Sequence, residues 1–217
     1  MITEIIMVNP DHLEEYAIAR AAEVLRQGGL VAFPTETVYA LGAAAFNLRA
    51  LDRLYQVKGR SRQRPLIMGL DSVSWMYRLA IDIPEAAVNL ADAFWPGPLT
   101  LVLKRSGMVP NMVAAGGETV AMRVPGLALV RRLVAALGMP VVIPSANFAG
   151  EPSPHDTAGV LSFFDGRIEM VLDGGRCGSG IETTLLDMAS RPPRLLRRGA
   201  IVEEDLLGYI PDLEVHK

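Results

Sequence analysis

The chain has 217 residues, 50% of them hydrophobic, with 21 Lys plus Arg against 24 Asp plus Glu, one cysteine and a formal charge of -3. Such a composition excludes collagen, low-complexity disorder and a disulfide-stapled scaffold, and the near balance of charges excludes polyanion binding by bulk charge. A chain of this length buries about 70% of the surface its unfolded form exposes, so folding requires neither a metal nor a covalent staple.

In chain order, Asn9-Pro10 reads as an N-cap and first-turn proline, and Leu13, Ala17, Ala21, Val24 and Leu25 follow at helical spacing until Gly28-Gly29. Leu30-Val31-Ala32-Phe33 is too short for a helix and reads as a buried strand. Asn47 opens a second helix with Leu48, Leu51 and Leu54 on one face, stopped by Gly59. Further strand candidates lie at 66–70, 99–103, 119–124, 140–143, 168–172 and 184–188, with helical stretches at 84–94, 127–137 and 156–164. This alternation predicts an α/β fold with helices packed on a twisted sheet. The connections 103–119 and 172–184 are too short for a crossover helix, which predicts a mixed sheet. No repeat, low-complexity tract or linker interrupts the chain, so residues 1–217 are expected to form one domain.

No apolar run approaches the roughly 20 residues of a membrane span, and Met1-Ile2-Thr3-Glu4 lacks the cationic start of a signal peptide. A cytoplasmic location without membrane contact is expected. The lone Cys177 fits a reducing compartment and reads as an ordinary residue, because no partner for a nucleophile is evident.

The cations are clustered: Arg49, Arg53, Lys58, Arg60, Arg62 and Arg64 accompany a single acid, Asp52, and Arg191, Arg194, Arg197 and Arg198 form a second group. Four segments stand out as carriers of chemistry: Pro34-Thr35-Glu36-Thr37-Val38-Tyr39, Lys58-Gly59-Arg60, Pro144-Ser145-Ala146-Asn147, and Gly180 through Thr184. In open α/β sheets ligands collect at the carboxyl ends of strands, although each segment alone is equally ordinary turn chemistry. In Lys58-Gly59-Arg60 the glycine lets two cations face one site. Cations at a helix C-terminus also complement its dipole, but that does not account for Arg62 and Arg64, which an anion site would.

Familiar alternatives fail on spacing. There is no phosphate-loop motif and no Gly-x-Gly-x-x-Gly fingerprint, and the glycine-rich run from Gly174 to Gly180 fits neither. His12, His155 and His216 are too scattered for a metal site, and Ser145 lacks the elbow of a serine hydrolase.

The ordered set Phe33 through Gly42, Lys58-Gly59-Arg60 with Arg64-Pro65-Leu66, Trp95-Pro96-Gly97-Pro98-Leu99-Thr100, Arg123-Val124-Pro125 and Ser145-Ala146-Asn147 resembles the YrdC/TsaC family of threonylcarbamoyl-AMP synthases. The resemblance runs from about Ala22 to Arg198 and is to the short, single-domain form. It implies a YrdC-like twisted open mixed sheet with helices packed on it. The implied activity is formation of threonylcarbamoyl-AMP and pyrophosphate from L-threonine, bicarbonate and ATP, a nucleotidyl transfer serving threonylcarbamoyladenosine modification of tRNA. Mg²⁺ would arrive with ATP, and tRNA and the enzymes that transfer the threonylcarbamoyl group are the implied further partners.

By the same resemblance Lys58, Arg60, Ser145 and Asn147 form the catalytic and nucleotide-phosphate constellation. Thr35, Tyr39 and Arg123 surround threonine and bicarbonate, and Thr183 and Arg197 complete the nucleotide side. Ala40, Thr183 and Arg198 depart from the family's usual glycine, serine and proline. The chemistry is consistent, because every substrate is an anion at its reacting end and only fixed cations and donors make their encounter favourable. Lys supplies a compact charge and Arg a planar fork, and no covalent enzyme intermediate is required. Two other readings are a double-stranded RNA or tRNA binding module using Arg49, Arg53, Arg62 and Arg64, and a related carbamoyl transferase.

Overall fold

Short aliphatic runs become strands and longer periodic stretches become helices. The order is β1 (Glu4–Met7), α1 (Glu15–Arg26), β2 (Val31–Phe33), β3 (Ala40–Ala44), α2 (Leu48–Lys58), β4 (Ile67–Gly69), α3 (Ser74–Leu79), α4 (Glu85–Phe94), β5 (Leu99–Lys104), β6 (Thr119–Arg123), α5 (Ala128–Leu137), β7 (Val141–Val142), α6 (Thr157–Phe164), β8 (Met170–Asp173), β9 (Thr184–Asp187), β10 (Arg194–Arg197), α7 (Glu203–Leu207) and β11 (Glu214–Val215). The computed structural model describes residues 2–9, 12, 14–178 and 181–215. Pro10 and Leu13 of the expected helix start, Ser179 and Gly180 of the glycine-rich run, and His216 lie outside the described residues.

The strands form one open sheet in the order β1-β8-β2-β3-β7-β4-β6-β5-β9-β10-β11. It is mixed, as expected: β8 is parallel to both β1 and β2, β4 to β6, and β5 to β9, while β2/β3, β3/β7, β4/β7, β5/β6 and β9/β10 are antiparallel. The 103–119 connection does join an antiparallel pair. The 172–184 connection does not: β8 pairs with β1 and β2, whereas β9 lies beside β5, so this segment crosses the sheet instead of closing a hairpin.

Period-two alternation sorts the strand side chains into two layers. Val31, Phe33, Met170 and Leu172 meet Ala17, Ile18 and Leu25 of α1 and Leu129 and Leu133 of α5 on one face. Ala32, Leu41, Ala43 and Val171 point the other way, toward Leu51 and Leu54 of α2, Leu90 of α4 and Phe164 of α6. Burying roughly 1.5–3 kcal/mol worth of side chain at each large position drives both layers together.

α1 begins at Glu15, with Glu14 as N-cap, and not at Asn9-Pro10, because Asn9 is instead bridged to His12. α2 is bounded as its sequence dictates. Asn47 Oδ1 accepts from the Arg49 and Ala50 N–H groups, each at 3.1 Å, and Gly59 closes the helix at φ 60°. Leu51 and Leu54 are buried, but Leu48, in the first turn, is 55% exposed and leaves the expected stripe. Among the described residues no helix is long and apolar enough to cross a membrane.

Candidate active site

α2 ends in Lys58, whose long side chain runs under the segment that follows β7. Its Nζ donates to the carbonyl oxygens of Ser145 and, at 2.6 Å, Asn147. The residue is only 2% exposed. Burial, reinforced by the neighbouring Arg60 charge, lowers the ammonium from its ordinary value to about 7. A neutral amine keeps two N–H donors, enough for both carbonyls, so loss of the proton leaves this brace intact.

The αL turn at Gly59 sends Arg60 away from its neighbour and into a cleft of about 170 Å³. Arg60 Nη2 donates to the Pro65 carbonyl at 2.8 Å, and its buried Nε has no hydrogen-bond partner among the described residues. Arg123 and Arg197 line the same cleft, together with Ser145, Thr183 and Glu182, while Val38, Pro65, Ile67, Ile143 and Pro144 supply apolar wall. Three guanidinium groups thus border one small space. Its volume is below the about 300–1,000 Å³ of typical small-ligand pockets.

Each of the other two arginines is held by a carboxylate. Arg123, 4% exposed, donates to Glu36 Oε1 at 2.9 Å, and burial lowers its pKa while Glu36 opposes the shift. Glu36 Oε2 also accepts from the Leu127 N–H at 3.5 Å, just before α5. Arg197 pairs with Glu182 and donates twice to Thr183, to the carbonyl and to Oγ1, both at 3.0 Å. Gly199 is what allows this packing: a Cβ there would stand 2.3 Å from the Thr184 nitrogen and 2.4 Å from the Thr183 carbonyl carbon.

Of the residues expected at the site, Arg60, Arg123, Ser145, Thr183 and Arg197 line the cleft, and Lys58, Asn147, Thr35 and Tyr39 do not. Asn147 accepts from Ser145 Oγ and donates to the Glu151 carbonyl. Thr35, expected against threonine, spends its hydroxyl inside its own loop: it donates to the Val38 carbonyl at 2.7 Å and accepts from the Thr37 N–H at 3.1 Å. Tyr39, expected there too, points toward the 174–175 turn, donating to the Gly175 carbonyl at 2.8 Å, and burial raises its pKa to about 12. Ala40, which departs from the family's usual glycine, is a strand residue bridged to Ser145.

The expectation that ligands gather at carboxyl ends of strands is met only in part. Arg123, Arg197 and Ser145 close or follow strands, but Thr183 precedes β9 and Pro65 and Ile67 open β4. A mixed sheet brings both polarities to one place. Val38 and Glu182 lie in segments singled out from the sequence, whereas Ile67 and Ile143 belong to plain strand runs and are recognisable only through their neighbours.

Fold and site together define an α/β protein whose arginine-lined cleft is built over a mixed sheet. Residues 23–199 match the family model for Sua5, YciO and YrdC, described as telomere recombination. The threonylcarbamoyl-AMP synthase of Pyrococcus abyssi is 43% identical over 206 residues, 95% of this chain and 61% of the relative. That of Bacillus subtilis is 44% identical over 202 residues, 92% of this chain and 58% of the relative. The crystal structure of P. abyssi Sua5 complexed with L-threonine superposes with a TM-score of 0.95 at 43% identity, covering 99% of this chain and 63% of that one. This chain therefore belongs to the Sua5/YciO/YrdC family, as its motifs suggested, and spans about three-fifths of the length of these relatives.

Proposed function

We propose that the protein is a threonylcarbamoyl-AMP synthase, a nucleotidyltransferase acting in the cytoplasm and supplying the adduct for threonylcarbamoyladenosine modification of tRNA. The observation that carries this reading is the convergence of Arg60, Arg123 and Arg197 with the Ser145 and Thr183 hydroxyls on one cleft, in a chain of this family. The relatives' names and the L-threonine bound to P. abyssi Sua5 support threonine as substrate.

In the proposed reaction the threonine amine and bicarbonate combine to a carbamate with loss of water. A carbamate oxygen then attacks the α-phosphorus of ATP, and pyrophosphate leaves. Like charges meet at that step, and the arginines lower its barrier by holding phosphoryl and carbamate oxygens before reaction. Arg60, on the cleft lining and without a carboxylate partner among the described residues, is assigned to the phosphoryl oxygens. Ser145 and Thr183 add uncharged donors. Lys58 and Asn147 keep the Ser145 segment in shape. Mg²⁺ is assigned to the ATP phosphates as part of the substrate, because Glu182, the carboxylate on the cleft lining, is taken up by Arg197.

The test is incubation of purified protein with labelled ATP, bicarbonate and L-threonine, followed by mass spectrometry. A threonylcarbamoyl-AMP peak and pyrophosphate that both vanish without threonine are expected. ATP hydrolysis independent of threonine, or no turnover, would overturn the reading.

A further inference from the structure

Thr100, in the second position of β5, is fully buried, and the sole hydrogen-bond partner of its hydroxyl among the described residues is Thr183 Oγ1, at 2.8 Å. A buried hydroxyl must place its proton on an acceptor or lose about 1–3 kcal/mol; either oxygen could donate, but only Thr183 borders the cleft, where its proton can meet water or a ligand, so both hydroxyls are satisfied only with Thr100 as the donor. Thr183 Oγ1 also accepts from Arg197 Nη2 at 3.0 Å. A hydroxyl oxygen has two lone pairs and one proton. Both lone pairs of Thr183 are therefore occupied, and its own proton has no acceptor among the described residues. Thr183 lines the cleft beside Arg60 and Arg123.

We infer that Thr100 is a positioning residue: by donating to Thr183 it commits the Thr183 hydroxyl to act only as a donor into the cleft, toward a phosphoryl or carboxylate oxygen. Two donors into one oxygen also polarise its remaining O–H, which strengthens the bond it gives to an anion. Thr100 itself touches no ligand. The cleft is thereby made to reject a donor at this point, since an ammonium or hydroxyl proton there would meet another proton. As applied to adenylate formation, the inference rests on the function proposed above.

A double-mutant cycle tests it, with kcat and KM for ATP measured separately for Thr100→Val, Thr183→Val and the pair. Thr100→Val is expected to lower kcat/KM about three- to tenfold. Thr183→Val is expected to lower it about ten- to a hundredfold, and the double variant should match Thr183→Val alone. Thr100→Ser should restore activity. A Thr100→Val loss that persists in the Thr183→Val background would show a merely structural role, and a Thr100→Val protein as active as wild type would remove the role altogether. Should Thr100→Val fail to fold, Thr100→Cys, of similar size and a weak donor, replaces it in the cycle. If wild-type protein forms no adduct, the function proposal fails by itself, and the same cycle read as ATP affinity by calorimetry still decides the inference.

Discussion

Lys58 Nζ and the carbonyl oxygen of Asn147 are 2.6 Å apart although 89 positions separate them in the chain, so the end of α2 and the segment after β7 are held as one piece. Lys58 is thus a brace for the cleft wall. Substituting it should perturb both stability and catalysis, whereas a cation that only faced a ligand would affect catalysis alone.

The pH dependence of that brace has a definite sign. The folded pKa of Lys58, about 7, lies below its ordinary 10.5. Between those values the unfolded chain holds a proton that the folded chain has lost, so the Lys58 contribution to stability rises with pH, by up to about 1.4 kcal/mol per unit. Urea unfolding of wild type and Lys58→Met between pH 7 and 9 should show the difference shifting in favour of wild type by about 1 kcal/mol per pH unit. A pH-independent difference would mean that Lys58 stays charged when folded. The Cys177 thiol, raised to about 11 by burial, contributes with opposite sign at higher pH but is common to both proteins and cancels in the difference.

Arg60 should behave differently. It makes one hydrogen bond to the protein and lines the cleft, so Arg60→Ala should cost on the order of a hundredfold or more in adduct formation. Its unfolding midpoint should remain close to wild type. Near-normal turnover in this variant would remove Arg60 from the reaction.

Glu36 and Arg123 form a pair with side-chain exposures of 21% and 5%. Removing one partner of a buried pair strands the other charge, at about 3–5 kcal/mol when burial is complete. For Glu36→Ala we expect about 2–3 kcal/mol, since Glu36 is only partly buried, measured by chemical denaturation. A loss under about 0.5 kcal/mol, the size of an ordinary surface substitution, would show that Arg123 is satisfied without it.

Magnesium should bind weakly to the protein alone and more tightly with ATP present. Mg²⁺ keeps several waters and takes one or two carboxylates plus substrate phosphates. Among the described residues no group of three or more His, Cys, Asp or Glu could hold a metal ion. Stoichiometric tight Mg²⁺ binding in calorimetry without nucleotide would contradict the assignment.

What was legible in the sequence divides along a physical line. Helix periodicity, the Asn47 cap, the Gly59 stop and the mixed sheet were readable, because they depend on local geometry. Four strands and two helices were not: Ala40-Leu41-Gly42-Ala43-Ala44 lacks β-branched residues and becomes β3 because β2 and β7 enclose it. That Arg60 and Arg197 belong to one candidate site was readable from motif and charge, and both line the same cleft. Which side chains face the cleft was not, since Thr35 and Tyr39 share a segment with Val38 yet turn to their own loop and to the 174–175 turn. Motifs report proximity, while direction comes from pairings such as Ala40 with Ser145, made across a hundred residues of chain.

The mixed sheet draws the cleft lining from Thr37 at one end of the sequence to Arg197 near the other. A nascent chain therefore lacks the complete cleft until late in synthesis. Until β10 has emerged from the ribosome and paired with β9, Arg197 has no place beside Thr183. Once the site exists, a bound anion must stabilise the whole sheet at once. Amide exchange slowed by ligand should then spread over β4, β6, β7 and β9 together and not stay confined to the loops that touch it.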